Sequence, residues 1–128
     1  MNARSLLITA GILGGTAVVF GAFGAHALKE ALDPYSLNSF NTAVRYQMWH
    51  ALALLALAAS PVKIKQLKNI ARLWLFGVLL FSGSIYLLSI DELMNVNLSF
   101  LGPITPLGGL ALIVAWIMLI VSALKIKE

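Results

Sequence analysis

Four stretches of this chain stay apolar for long enough to cross a bilayer, and that feature leaves few folds open. About 30 Å of hydrocarbon is crossed by roughly 20 helical residues rising about 1.5 Å each. Lipid offers the backbone no hydrogen bonds, so such segments bond internally as helices. The stretches cover about 6–28, 39–61, 71–90 and 105–124. In the first, Thr9, Thr16 and His26 are the polar side chains. The second is uncharged only from Tyr46 to Val62, and reaches full length when extended back to Ser39 with Arg45 snorkelling outward. Ser60-Pro61 ends it, since a residue before proline is disfavoured in helix. The fourth opens at Thr105-Pro106, read as a cap followed by proline in the first helical position.

Composition agrees. A chain of 128 residues with 60% hydrophobic and 11% charged side chains, and a mean hydropathy of +0.92, is too apolar for a water-soluble domain. The expectation is a single all-α integral membrane domain, 1–128, folded as a four-helix bundle. A net charge of +4 could suggest nucleic acid, yet the cations lie scattered between apolar segments, where they anchor membrane proteins. With the N-terminus inside, Arg4, Lys63, Lys65, Lys68, Arg72, Lys125 and Lys127 fall on the inner side and only Lys29 and Arg45 on the outer. Both termini are therefore expected in the cytoplasm, with the bacterial inner membrane as the location. Cysteine is absent, which excludes disulfides, thiolate metal ligands and Cys nucleophiles.

The stretch FGAHALKEAL, with a basic start and an apolar run before it, also has the outline of a signal peptide ending at Ala25-His26-Ala27. A signal core spans roughly 7 to 15 residues. The run here is longer and carries Gly11, Gly14, Gly15, Gly21 and Gly24, which suits a packing helix better. Ala10, Gly14, Ala17, Gly21 and Gly24 recur at spacings of four and three and draw a stripe of small residues. Such stripes let backbones approach in lipid, where apolar burial gives little drive. A weaker stripe, Gly108, Ala111, Ala115 and Ser122, marks the fourth segment, Gly109 beside it and Gly83 in the third segment are also expected at helix contacts, and Gly11-x-x-x-Gly15 lies on a neighbouring face of the first. These can pack one bundle or join like copies into a homo-oligomer.

Polar groups at membrane depth need partners. Tyr46, Gln47 and His50 share one face of the second segment by their spacing. Ser82 and Ser84 flank Gly83 in the third, with Tyr86 beyond, and Thr16 lies at a matching level in the first. One reading has His50 and Gln47 bonding to serines, threonines or backbone of neighbouring helices, each bond contributing on the order of 1 kcal/mol. The other has Gln47, His50, Ser82 and Ser84 lining the path of a small oligomeric channel or transporter. His26 and Glu30 are expected to cap and solvate the outer end of the first helix, with His26 bonding the loop before Asn38. A zinc site needs three or four convergent ligands, and His26, with Glu30 and Asp33 near it, lies about half the membrane away from His50, too far for the two histidines to share one. No nucleophile motif or paired intramembrane carboxylate points to catalysis, so no enzyme, cofactor or metal is expected. Lipid is the one partner expected outright.

GAFGAHALK, FNTAVRYQMWHALALL, FSGSIYLLS and GPITPLGGLALIVAW, in this order, resemble the YgdD-like small bacterial inner-membrane proteins, a family of unknown function with a small eukaryotic transmembrane relative. The resemblance covers nearly the whole chain. It implies a four-helix membrane protein without an assigned activity. The positions it marks are His26, Tyr46, Gln47, His50, Ser82, Gly83, Thr105, Pro106, Gly108 and Gly109.

Overall fold

The computed structural model describes residues 2–126. Lys127, counted above among the inner cations, lies outside them, as do the outermost residues of the expected domain. The chain forms α1 (Ala3–Ala25), α2 (Ala27–Ala31), α3 (Pro34–Ala59), α4 (Leu67–Ile90), a 3-10 turn (Ser99–Leu101) and α5 (Ile104–Ala123). Among the described residues there is no strand.

Each long helix reaches as far as its end groups allow, which differs from where its apolar run stops. Asn2 opens α1 with a capping box: its side chain accepts from the Ser5 amide at 2.9 Å, and its amide donates to the Ser5 hydroxyl at 2.8 Å. The expected continuation of this helix to Leu28 does not occur. The backbone breaks at His26 (φ −120°, ψ −87°), and α2 leaves as a separate short helix. Asp33 then starts α3 with Pro34 in the first turn, well before the expected Ser39. The carboxylate of Asp33 accepts from the amides of Tyr35 (2.9 Å) and Ser36 (3.1 Å). Bonding to the Ser36 side chain, then to the Ser36 amide, holds its pKa below the ordinary value. Ser60 ends α3 ahead of Pro61, as expected.

After α3 the chain turns through Ile64, whose carbonyl accepts from Leu67 at 3.2 Å, and α4 begins at Leu67, a turn earlier than Ala71. Past Ile90 the chain reverses through Asn95, which takes a left-handed conformation (φ 54°) that asparagine tolerates. The N-cap of α5 is Pro103, so the expected cap Thr105 sits inside the first turn and its hydroxyl is free for another use.

The extensive contacts run in chain order, α1 on α3, α3 on α4 and α4 on α5. Leu6, Leu13, Leu54, Ile70, Trp74, Val78 and Leu112 form the apolar core, mostly toward the end where α1 starts and α3 stops. Toward the opposite end Phe20, Phe40 and Tyr86 meet edge-on or tilted, with centroids 4.8–4.9 Å apart around Tyr86. Glycine sets the closest approaches. A methyl at Gly108 would run into the backbone nitrogen of Phe81 and lie 2.8 Å from the Leu80 carbonyl carbon, so α4 and α5 touch main chain to main chain. Gly24 meets Phe40 and Asn41 of α3, and Gly77 lies against Leu112.

The outside of the molecule is as apolar as the inside. Ile12, Val18, Leu79, Ile113 and Ile120 are each more than half exposed, which water would penalise and lipid accommodates. Three segments are long and apolar enough to cross a membrane: Ala3–Ala25, Leu67–Ile90 and Ser99–Ala123. At 26 residues α3 has the length as well, roughly 39 Å at about 1.5 Å per residue. Asn41, Thr42, Arg45, Gln47 and His50 lower its hydropathy.

Candidate functional site: a polar layer inside the bundle

The buried residues of α3 are Phe40, Ala43, Gln47, His50, Ala51 and Leu54. Their spacing of three and four is the interior stripe of a packed helix, and it carries both an amide and an imidazole inward. Gln47 is 4% exposed, and both of its polar atoms are bonded. Its Nε2 donates to the Leu13 carbonyl at 2.8 Å and to Thr16 Oγ1 at 2.7 Å, and its Oε1 accepts from the Tyr86 hydroxyl at 2.8 Å. One side chain thus joins α1, α3 and α4. Thr16 itself lies near the surface of α1 and donates to the Ile12 carbonyl at 2.7 Å, leaving its oxygen free to accept from Gln47.

The two nitrogens of His50 have fixed roles. Indole N–H is a donor only, so Trp116 Nε1, 3.2 Å from His50 Nε2, requires that nitrogen to be unprotonated. Nδ1, 2.7 Å from the Tyr46 carbonyl, then carries the proton and donates it. The geometry therefore selects the neutral Nδ1–H tautomer. Trp74 and Trp116 pack edgewise on the imidazole at 5.9 and 6.0 Å and on each other at 4.7 Å, while Tyr46 lies on Phe81 at 4.5 Å. Trp74 Nε1 is buried with no hydrogen-bond partner among the described residues.

Ser82 donates to the Ala43 carbonyl at 2.8 Å, a side-chain bond from α4 to the backbone of α3. Ser84 is separate. Its hydroxyl donates to the Phe81 carbonyl at 3.0 Å, so Thr105, 2.6 Å away on α5, supplies the proton of their shared bond. The sequence-expected group thus divides: Thr16, Gln47 and Tyr86 form one connected set, Tyr46 and His50 a second, Ser82 and Ser84 two single ties. His50 bonds a tryptophan and its own helix rather than the serine, threonine or neighbouring backbone expected for it. The cavities at the ends and flanks of the bundle are lined by other residues.

Among the packing glycines, Gly24 and Gly108 sit at tight contacts, Gly14, Gly21 and Gly109 at ordinary ones, and Gly83 at none, since a methyl there would meet nothing within 4 Å. Gly83 is thus removed from the packing set, because it faces outward between Ser82 and Ser84. His26 and Glu30 are exposed and provide no side-chain cap to α2, and His26 forms no bond to the loop before Asn38 among the described residues. His26 marks the break between helices instead. Among the described residues no three His, Asp or Glu side chains gather as metal ligands would. Sequence reasoning missed Trp74, Trp116 and the tie of Thr105 to Ser84. A signal was present for the tryptophans, which lie within helices instead of at the interfacial belt where tryptophan gathers.

An all-helical membrane protein, apolar outside and with its polar side chains turned inward to tie helices together, is the class that fold and site define. Residues 20–109 match the family described as "Protein of unknown function (DUF423)". The UPF0382 membrane protein YwdK of Bacillus subtilis is 43% identical over 112 residues, 85% of this chain and 87% of that protein. The UPF0382 inner membrane protein YgdD of Escherichia coli K12 is 31% identical over 136 aligned positions, covering 100% of this chain and 95% of YgdD, and a UPF0382 membrane protein of Haemophilus influenzae is 38% identical over 112. The chain belongs to the DUF423 (UPF0382) family of membrane proteins, which carries no assigned activity. The inner-membrane location expected from the sequence agrees with the name of YgdD. No solved structure matches the chain.

Proposed function

We propose that this protein is a four-span bundle, with α1, α3, α4 and α5 all crossing the membrane and both termini in the cytoplasm, that serves as a structural or interaction component and not as an enzyme or a solute path. The observation that carries the reading is the state of Gln47: both protons of its Nε2 and its Oε1 are bonded to other helices, inside a contact that leaves the side chain buried. His50 supports it, with a nitrogen committed to Trp116 and the other to Tyr46. An inward-turned amide and imidazole also explain how α3 crosses lipid despite its low hydropathy. Assembly of like copies belongs to the reading, since Gly11 and Gly15 are exposed on α1 with open space before them.

The absence of cysteine makes the test direct. Single cysteines in place of Lys29 and Lys65, on either side of α3, should react with an impermeant maleimide from opposite sides of the membrane, Lys65→Cys only from the cytoplasm. Purified protein in liposomes should pass ions and small solutes no faster than empty liposomes. Same-side labelling overturns the four-span count, and flux that disappears in His50→Ala overturns the structural role.

A further inference from the structure

The end of the bundle where α3 stops, α4 begins and α5 ends gathers positive charge. Lys63, Lys65, Lys68, Arg72 and Lys125 all lie there, whereas the carboxylates among the described residues, Glu30, Asp33, Asp91 and Glu92, lie at the opposite end. Cations at a helix end anchor a membrane protein without selecting a ligand. Arg72, however, also lines a shallow groove of about 330 Å³ on the flank of the bundle, formed by Asn69, Arg72, Leu73 and Phe76 of α4 and Met118 of α5. The four α4 residues recur at spacings of three and four and share one face. Asn69 and Arg72 occupy the end nearer the start of α4, and the remainder is apolar. Asn69, Arg72 and Phe76 are all exposed, Phe76 by 54%, so a ligand can reach each of them.

Depth and charge narrow what fits. Arg72 lies about 7.5 Å along the axis from the start of α4. Helical side chains lean toward the N-terminus, which here carries the guanidinium toward the level of lipid head groups. Its planar fork matches the paired oxygens of a phosphate. Lys68, one turn before Arg72, sets a second cation beside that position, which favours a net anionic head over one that carries its own ammonium. A second copy inserted in the same direction keeps its described carboxylates at the far end, so it brings no such anion to Arg72. We propose that this groove binds an anionic phospholipid, with Arg72 and Asn69 holding the phosphate and an acyl chain lying against Leu73, Phe76 and Met118. The site requires α4 and α5 to span the membrane, as their length and hydropathy allow. It is independent of the polar layer around Gln47 and of the four-span count.

The test is native mass spectrometry of the full chain in a neutral detergent, titrated with dioctanoyl phosphatidylglycerol, with dioctanoyl phosphatidylcholine and with glycerol phosphate. Phosphatidylglycerol should bind in one copy and more tightly than phosphatidylcholine, and glycerol phosphate should not bind measurably. Arg72→Gln should weaken the phosphatidylglycerol adduct roughly tenfold, the effect of one lost charge-assisted hydrogen bond, and Arg72→Lys, which keeps the charge, should lose less. Lys125→Gln removes a cation that lines a different cavity at the same end and should leave the affinity unchanged. Arg72 is exposed, so melts of its variants by circular dichroism should match wild type, which separates lost binding from lost folding. Equal binding by wild type and Arg72→Gln overturns the proposal, as does an equal loss in Lys125→Gln, which would make the attraction one of overall charge. So does phosphatidylcholine or glycerol phosphate binding as tightly as phosphatidylglycerol, or a dimer whose formation excludes the lipid.

Discussion

Replacing Gln47 by leucine, which has a similar shape and no amide, tests the polar layer most directly. Three bonds disappear, to Leu13, Thr16 and Tyr86. At a membrane-protein mean of about 0.6 kcal/mol each, their loss amounts to about 2 kcal/mol. The consequences for the partners differ. The Leu13 carbonyl keeps its place within α1, and Thr16 keeps its bond to Ile12. Only the Tyr86 hydroxyl is left without a partner in a protein interior, which adds about 1 kcal/mol or more. Gln47→Leu should therefore cost about 3 kcal/mol and Tyr86→Phe about 1 kcal/mol. The double variant creates no orphan and should cost only about 2 kcal/mol, giving a coupling of about 2 kcal/mol in a double-mutant cycle. Reversible unfolding in mixed micelles, followed by tryptophan fluorescence or circular dichroism, measures all four corners. Additive single effects, with coupling under about 0.3 kcal/mol, would refute the assignment of Tyr86 as the partner of Gln47.

Three further outcomes follow from the geometry. Gly108→Ala should destabilise by about 1–3 kcal/mol because its methyl meets the Phe81 main chain, whereas Gly83→Ala, with open space before it, should be neutral or stabilise by about 0.5–1 kcal/mol; thermal melts that rank the two the other way would contradict the packing described. Nitrogen-15 NMR of labelled His50 near neutral pH should report the Nδ1–H tautomer, and Trp116→Phe should cost about 1 kcal/mol; an Nε2–H signal in the wild type would rule out the indole as donor. The pKa of Asp33 is lowered on folding, so its contribution is present above the ordinary value of 3.8 and fades as pH falls through the lower folded value. Asp33→Asn keeps a capping oxygen but should flatten that acid dependence, as melting curves below about pH 4 would reveal.

Much of this arrangement is legible in the sequence. Hydropathy locates α1, α4 and α5, because a membrane-facing helix must be apolar wherever it is not packed. It places the start of α3 late, since capping by Asp33-Pro34 extends the helix beyond its apolar part. The spacing of Gln47 and His50 puts both on one face, and the bundle buries that face. The same spacing says nothing about what they meet. Leu13 and Ala43 contribute carbonyl oxygens, which every residue has, so no residue type marks them as acceptors.

The chain by itself determines a helical membrane protein, the inward face of α3 and the glycine-bearing faces of α1 and α5, because periodicity and transfer cost are properties of single segments. Tertiary structure alone decides that Trp116 is the partner of His50, that Gly108 touches a backbone while Gly83 touches nothing, and that α1 stops at His26. Those outcomes depend on how each helix is rotated and slid against its neighbours. A residue of shift, about 1.5 Å along the axis and 100° around it, would exchange one set of partners for another without altering the hydropathy of any segment.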